Sequence, residues 1–472
     1  MQLISPTPAA LTRTLGLLTA SLFAATGLHA QDVSPAASHS AYGPSPDART
    51  PTSDTSSDLG LTRVDTAILF YQEAGGRVKA TEPVTSITFN GSDGEILSVK
   101  LTADSLTGAT PNGAAPWKAT QTFISPSKSK GVQTTTTSAS GHSQTVTLPG
   151  TDIVASQYTA DPHALPLDYG FRDTRYAVDL GYTTPIDAVT RLSFGGGLST
   201  ERDFKSLSGS FGLARDLFDK NTTVSAAVNL EYDTSNPYFG TPQPLTEMSA
   251  LEKGPNQSKT VVNAVLGVTQ VMNRNWLAQV NYSVGSANGY QTDPYRLISV
   301  VDGTTGAPVR YLYESRPKSR IRQSLYMGNK IALGPTVTDI SGRLYHDSWG
   351  INSVTAEIAE RVAITSALYV EPHLRYYSQS KANFFHDYLI DGQTLPDYAS
   401  SDSRLGKFTA TTVGLKVGLK VTTNGELYVR ADSYNQTGAA HPATAIGDLK
   451  TENLFSGIKA TSVIVGYTFA FQ

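Results

Sequence analysis

The sequence predicts an all-β protein, a transmembrane antiparallel β-barrel of about sixteen strands, and three observations point there. Short segments that alternate apolar and polar residues recur from about residue 61 to Gln472, tight links between them alternate with longer ones, and an export leader precedes them. Alternation with a period of two makes strands with one apolar and one polar face. In a closed wall those faces meet lipid and water.

The leader sets the compartment. Arg13 stands before an apolar stretch from Leu15 to Leu28, and Ala30 supplies the small residue of a cleavage site. Residues 1–30 are expected to be a signal peptide, so the mature chain begins at Gln31. The stretch is too short for a spanning helix, and no later window holds the roughly 18–20 consecutive apolar residues that one needs. Insertion must then be by strands. Residues 31–58, made of Ser, Pro, Ala, Thr and Asp with few large apolar side chains, cannot bury enough surface to offset their ordering entropy. They read as a flexible periplasmic arm, with a plug inside the lumen as the alternative. The barrel is assigned to residues 59–472.

Composition narrows the function. A net charge of −3 provides no basic field for nucleic acid, and the absence of cysteine excludes disulfides, thiolate metal sites and a thiol nucleophile. Tyrosine outnumbers tryptophan 23 to 3, and tyrosine seeks membrane interfaces.

Four strands phase cleanly. Trp276, Ala278, Val280, Tyr282 and Val284 form one face against Gln279, Asn281 and Ser283. Leu368, Val370, Pro372, Leu374 and Tyr376 oppose Tyr369, Glu371, His373, Arg375 and Tyr377. Val224, Ala226, Val228, Leu230 and Tyr232 oppose Ser225, Asn229, Glu231 and Asp233, and Tyr176, Val178, Leu180 and Tyr182 oppose Arg175 and Asp179. A slip of one residue would put these charges into lipid, so the register is strongly specified.

Tight links are read at 90–94, 185–188, 218–221, 272–275, 334–335, 365–366 and 423–425. The others lie near 72–77, 108–170, 200–205, 234–259, 286–318, 348–351, 380–403 and 437–457. Short turns facing the periplasm and longer loops facing outward are the asymmetry of bacterial outer-membrane barrels. The count is about sixteen, an even number that leaves both termini in the periplasm, with fourteen to eighteen as its range. The last strand carries Val463, Val465, Tyr467, Phe469 and Phe471 on one face, the kind of aromatic ending that the barrel-assembly machinery reads, with Gln472 one residue beyond.

Seven stretches together resemble an uncharacterised outer-membrane barrel family, the domain of unknown function numbered three-five-seven-zero. They are 64–73 (Val64 to Glu73), 106–114 (Leu106 to Ala114), 171–175 (Phe171 to Arg175), 267–274 (Gly267 to Arg274), Thr292-Asp293-Pro294-Tyr295, 311–317 (Tyr311 to Pro317) and 371–377 (Glu371 to Tyr377). The resemblance implies location and architecture and carries no catalytic residue with it. The Thr- and Ser-rich segment 133–148 reads as this chain's own loop insertion.

Phasing turns Lys100, Asp104, Arg175, Asp179, Glu231, Arg320, Arg322, Arg343, Glu357, Glu371, His373, Arg375, Lys416, Arg430 and Asp432 inward as candidate pore-lining residues. Charges of both signs facing a water-filled lumen suit passive passage of small polar solutes. A sealed barrel serving as a scaffold or surface-interaction protein is the alternative. His373 between Glu371 and Arg375 reads as part of an ion-pair network rather than a metal site. His346 with Asp347, and His386 with Asp387, are the places where an outer-membrane hydrolase would keep a dyad, but no Gly-x-Ser-x-Gly nucleophile motif accompanies them. No enzyme, cofactor or metal is therefore expected. Asp233, Asp293, Asp302, Asp387, Asp391, Asp397 and Asp402, in or beside loops, are expected to be solvated, since no Asp-x-Asp-x-Asp-Gly cadence is present. Gly195-Gly196-Gly197 is read as a place where a strand bends or a neighbour packs, since no helix follows to make a phosphate cradle. The expected partners are outer-membrane lipid and lipopolysaccharide, the assembly machinery and small polar solutes, in the outer membrane of a Gram-negative bacterium.

Overall fold

In the computed structural model the described residues are 59–125, 144–147, 154–250 and 254–471. The segments read above as a signal peptide and an arm, and most of the Thr- and Ser-rich stretch 133–148, lie outside them.

β1 (Gly60–Glu73), β2 (Lys79–Asn90) and β3 (Ile96–Pro111) open the wall. Three shorter strands follow in the next connection: β4 (Gln121–Ser125), β5 (Gln144–Thr147) and β6 (Val154–Ala160). The wall resumes with β7 (Leu167–Pro185), β8 (Thr190–Thr200), β9 (Phe204–Leu217), β10 (Thr222–Ser235), β11 (Gln257–Asn273) and β12 (Trp276–Gly289). After the connection strands β13 (Leu297–Val301) and β14 (Pro308–Tyr313) come β15 (Ser319–Leu333), β16 (Thr336–Asp347), β17 (Asn352–Ala363) and β18 (Leu368–Gln379). A two-residue β19 (Leu389–Ile390) precedes β20 (Phe408–Lys420), β21 (Gly425–Gly438) and β22 (Lys459–Ala470).

Sixteen of these strands close one antiparallel barrel, sealed where β1 pairs with β22 from Arg63↔Ala470 to Glu73↔Ala460. All seven tight links fall between consecutive wall strands at the end of the barrel where β1 starts and β22 ends, called here the turn end. The longer connections emerge at the opposite, loop end.

Closure saturates backbone hydrogen bonds, which only a barrel or a helix achieves across a membrane. Two prolines interrupt the ladder. Pro83 has no N–H to give, and the β2–β3 pairing passes from Thr81↔Ser105 to Val84↔Thr102. Around Pro372 the β17–β18 pairing passes from Ala359↔His373 to Val362↔Val370. Each proline keeps its place opposite the strand on its other side, Ile68 for Pro83 and Leu415 for Pro372.

Alternation of exposure matches the phasing. Tyr176, Leu180 and Leu230 are 61%, 52% and 55% exposed, whereas Glu231, Asp104 and His373 are buried. The outward face is thus apolar and the inward face polar. Within the glycine run, Gly195 and Gly197 face inward, and Ser210, Ser208 and Asp179 occupy the space that side chains there would need.

The connections depart from the expectation of polar loops. β14-β13-β19 form one three-stranded sheet and β4-β6-β5 another, so part of the predicted insertion, Gln144–Thr147, is a strand. The described parts of connections 112–166, 236–256, 290–318, 348–351, 380–407 and 439–458 share four apolar clusters. One gathers Phe123, Ile124, Ala160, Phe239, Leu297 and Tyr313, and a second Ile298, Val300, Leu312, Leu389 and Ala399. A third holds Trp349, Ile351, Phe384 and Leu405, and a fourth Ala115, Trp117, Val301 and Leu449. These segments make a folded cap at the loop end. Its core is apolar because each segment alone is too short to bury a face, and six together are not.

Candidate functional site: a charged inner wall and a clamped cap

The inner face is concave, so side chains can meet across an intervening strand. Arg430 Nη2 on β21 reaches His373 Nδ1 on β18 at 3.0 Å, passing over β20, and Arg322 Nη2 on β15 reaches Asn263 Oδ1 on β11 at 3.3 Å, passing over β12. All fifteen of the candidate pore-lining residues lie on this face by their strand register.

Five of them converge. His373 Nε2 lies 2.9 Å from Glu357 Oε1, and Arg430 Nε lies 2.9 Å from Asp432 Oδ2. Arg375 Nε stands 4.0 Å from Glu357 Oε2. With Arg430 donating to Nδ1, the imidazole's Nε2–H donates to Glu357, which fixes the ring. This is an ion-pair network, and the described residues contain no group of three or more ligating side chains arranged for a metal.

The others are spread around the wall. Arg175 Nε and Asp104 Oδ2 pair at 2.5 Å, Lys100 faces Asp179 in the β3–β7 register, and Glu371 faces Lys416 in the β18–β20 register. Lys416 Nζ sits 4.5 Å from the Tyr428 ring centroid. Glu231 is buried beside Asp233, which pairs with Lys259 at 3.0 Å. Arg343 is solvent-exposed although it faces inward, and its guanidinium lies 5.7 Å from the Tyr326 ring centroid. Arg320 sits at the loop end of this face, where it pairs with Asp347 at 2.6 Å and stacks at 4.3 Å on Trp349, tying the wall to the cap. Phasing by charge overlooked Tyr369, whose hydroxyl donates to Glu426 at 2.7 Å and whose ring carries Arg361 at 3.7 Å. Its place on the polar face of its strand was the available signal.

Neither histidine pair forms a dyad. Asp347 faces inward to Arg320, and its Oδ1 accepts from the backbone N–H groups of Trp349 and Ile351 at 3.0 Å each. His346 faces outward, with Nδ1 2.8 Å from Asn352 Oδ1. For His386 and Asp387 no hydrogen bond joins the two side chains; burial lowers the pKa of the first and raises that of the second.

The expectation of solvated loop acids fails most plainly for Asp233 and Asp402, while Asp293 is ion-paired and Asp387 half-buried. Asp233 and Asp402 are each 1% exposed. Asp402 is the centre of a buried cluster in the cap that joins connections 290–318 and 380–407. Arg316 Nη2 reaches its Oδ2 at 2.9 Å and Arg404 Nη2 at 2.5 Å, with Arg296 at 4.0 Å. Arg316 Nε pairs with Glu314 at 2.5 Å, Arg296 Nε with Asp293 at 3.3 Å, and Arg404 Nη2 with Asp293 at 3.4 Å. Ser400 donates its hydroxyl to Glu314, and the Asp293 N–H donates to Glu314 Oε1 at 2.8 Å. Three acids face three arginines, so the buried charge is balanced. Burial pushes the Asp402 carboxyl up, but Arg404, Arg296 and Arg316 outweigh it and hold the group well below the carboxylate range. Burial raises Glu314, which Arg316 only partly offsets.

A second junction lies beside this cluster. The single Ser401 hydroxyl proton is shared between two carbonyls, with Oγ 2.6 Å from Gly113 O and 2.9 Å from Leu297 O, and the Leu297 N–H donates to Asn112 O at 2.7 Å. Gly113 has φ +96°, and a Cβ there would stand 2.4 Å from Leu297 O. Only glycine fits.

Fold and inner face together define a closed sixteen-strand antiparallel barrel with an apolar exterior, a charged interior and a folded cap at one end. Residues 31–469 match a family described as a protein of unknown function (DUF3570), and the chain belongs to that family. Of the stretches that carry the resemblance, 106–114, 292–295 and 311–317 supply Asn112, Gly113, Asp293, Glu314 and Arg316 to the two cap junctions. No curated protein matches the chain. Among solved structures it is similar to a variant of the ferric enterobactin receptor PfeA from Pseudomonas aeruginosa, at 10% identity and TM-score 0.40, covering 88% of this chain and 60% of that one. It is also similar to the CymD monoaromatic hydrocarbon channel, at 7% identity and TM-score 0.37 over 88% and 90% of the two chains. The P. putida toluene transporter TodX gives 9% identity and TM-score 0.35 over 88% and 91%. The chain thus spans 60% of the length of the receptor.

Proposed function

We propose that the chain is an integral outer-membrane channel of a Gram-negative bacterium through which small polar solutes pass passively, with the cap over its outer mouth. The observation that carries this reading is the division between the two faces of the wall. Apolar side chains cover the outside, while Arg343, on the inside, is open to solvent. A solvent-exposed arginine on the concave face supports a wet lumen, and a wall of sixteen strands is wide enough to hold one. Such passage involves no reaction and no cofactor. The leader directs export, and the aromatic last strand is what the assembly machinery engages.

Planar-bilayer recording of the purified full chain tests the channel. Discrete openings are expected, and Arg343→Gln should shift the reversal potential in a salt gradient toward cations. Silence from protein that migrates as a folded, heat-modifiable barrel would overturn the reading. A specific observation favours a second one: six connections are locked together by four apolar clusters and a buried ionic cluster, which suits a sealed barrel serving as a scaffold. Silence in bilayers together with a protease-resistant cap is what that scaffold predicts.

A further inference from the structure

The outer face of the wall is apolar over most of its height, but not at the loop end of β15 to β18. Register sets outward side chains there in rows that run across neighbouring strands. Nearest the loops are Gln323, His346 and Asn352, with Ser380 just past the end of β18. The next row is Leu325, Leu344, Val354 and Ser378, and the one below is Met327, Gly342, Ala356 and Tyr376. Glycine and alanine side by side between Met327 and Tyr376 leave a trough in the surface. A Cβ added at Gly342 would find nothing nearer than Thr355 O at 3.8 Å.

The polar row is already organised. Tyr282 donates its hydroxyl to Gln323 Oε1 at 3.1 Å, and Ser380 Oγ accepts from the Asn352 N–H at 2.9 Å while donating to Gly350 O at 3.1 Å. An open depression of about 560 Å³ lies over these residues, with Lys407 in its lining and no carboxylate among the lining side chains. Lys318 and Lys381 stand exposed just beyond the ends of β15 and β18 at the same end of the barrel, with Asp387 close enough to Lys381 to feel its charge. Asp347 is turned to the inner face, where Arg320 holds it.

We infer that this is a binding site for a phosphorylated glycolipid of the outer leaflet. Sugar hydroxyls meet the row of Gln323, His346, Asn352 and Ser380, phosphate meets Lys407, with Lys318 and Lys381 adding positive charge at the same end of the barrel, and an acyl chain lies in the trough over Gly342 and Ala356. A soluble anion would leave the trough empty, and an uncharged lipid would leave the lysines unmatched. The inference rests on the outer-membrane reading above.

The test is titration of the detergent-purified full chain with bisphosphorylated lipid A, with retained lipid counted by native mass spectrometry. One variant replaces Lys318, Lys381 and Lys407 by Gln, and the other is Gly342→Leu. Each should weaken binding about tenfold, equivalent to about 1.4 kcal/mol, with heat-modifiable mobility unchanged. Phosphatidylglycerol should bind at least about tenfold more weakly than lipid A. Unchanged affinity in the lysine variant, or equal affinity for phosphatidylglycerol, would overturn the site while leaving the barrel in place. If Gly342→Leu does not fold, the lysine variant, altered only at exposed rim side chains, decides. A chain that never reaches the outer-membrane fraction would sink the membrane reading and this site with it.

Discussion

The wall and the cap are both β-structure from one chain, yet opposite physics holds them. The wall is a closed ladder with its apolar side chains outside, so its stability depends on the medium around it. The cap has ordinary soluble-protein order, with apolar clusters inside and a charge-balanced ionic centre at Asp402. The lesson is that a single inward–outward rule does not cover the molecule. An exposed leucine is in place on the wall, whereas in the cap the telling feature is a buried aspartate.

Four changes would break or sharpen this contrast. Asp402→Ala removes the centre of the buried cluster and leaves Arg296, Arg316 and Arg404 short of a counter-charge, which should cost the cap about 3–5 kcal/mol. Rapid proteolysis within 290–318 and 380–407, with the barrel still heat-modifiable, is the expected result; a cap as resistant as wild type would contradict it. The same centre sets a pH response. Asp402 is depressed in the folded state, so its contribution is present above its unfolded pKa and fades as pH falls through the lower folded value. Glu314 is raised, so its contribution is fully present below its unfolded pKa and is lost as pH rises through the folded value. Cap protection should therefore hold or improve on mild acidification and fail only below the ordinary carboxylate range, as hydrogen exchange can follow.

In the wall the sensitive change has the opposite sense. Val228→Arg puts a charge on the lipid face midway along β10 and should cost about 2–4 kcal/mol in equilibrium refolding into bilayers, with little effect on cap protection. Gly113→Ala sets a Cβ against Leu297 O in a left-handed backbone and should cost about 1–3 kcal/mol, read as faster exchange at the Asn112 and Leu297 junction. The smallest effect belongs to Lys118→Ala. The Lys118–Asp448 pair is exposed on both sides, so its loss should change cap stability by less than about 1 kcal/mol. A large loss there would mean that the cap relies on its surface rather than its core.

Legibility divided along the same line. The strand faces of β7, β10, β12 and β18 could be phased because lipid and water impose a strict period of two. The cap could not, since its strands are short and their partners lie up to hundreds of residues apart, as where Gly113 meets Ser401. Asp402 and Asp293 were visible as loop acids. What went unread was the spacing Glu314-x-Arg316 and Asp402-x-Arg404, two acid–arginine pairs that a solvated loop has no need to match.

By itself the sequence determined a closed wall of about sixteen strands, the seven tight turns and the two faces of the strands that phase cleanly, because alternation and turn residues are local and the surroundings on each face are fixed. Tertiary structure alone decided that the loop-end connections fold together, that Asp402 is buried among arginines, and that Gly342 and Ala356 leave a trough under a polar rim. Those features arise where distant segments meet, and no local pattern in the chain records such a meeting.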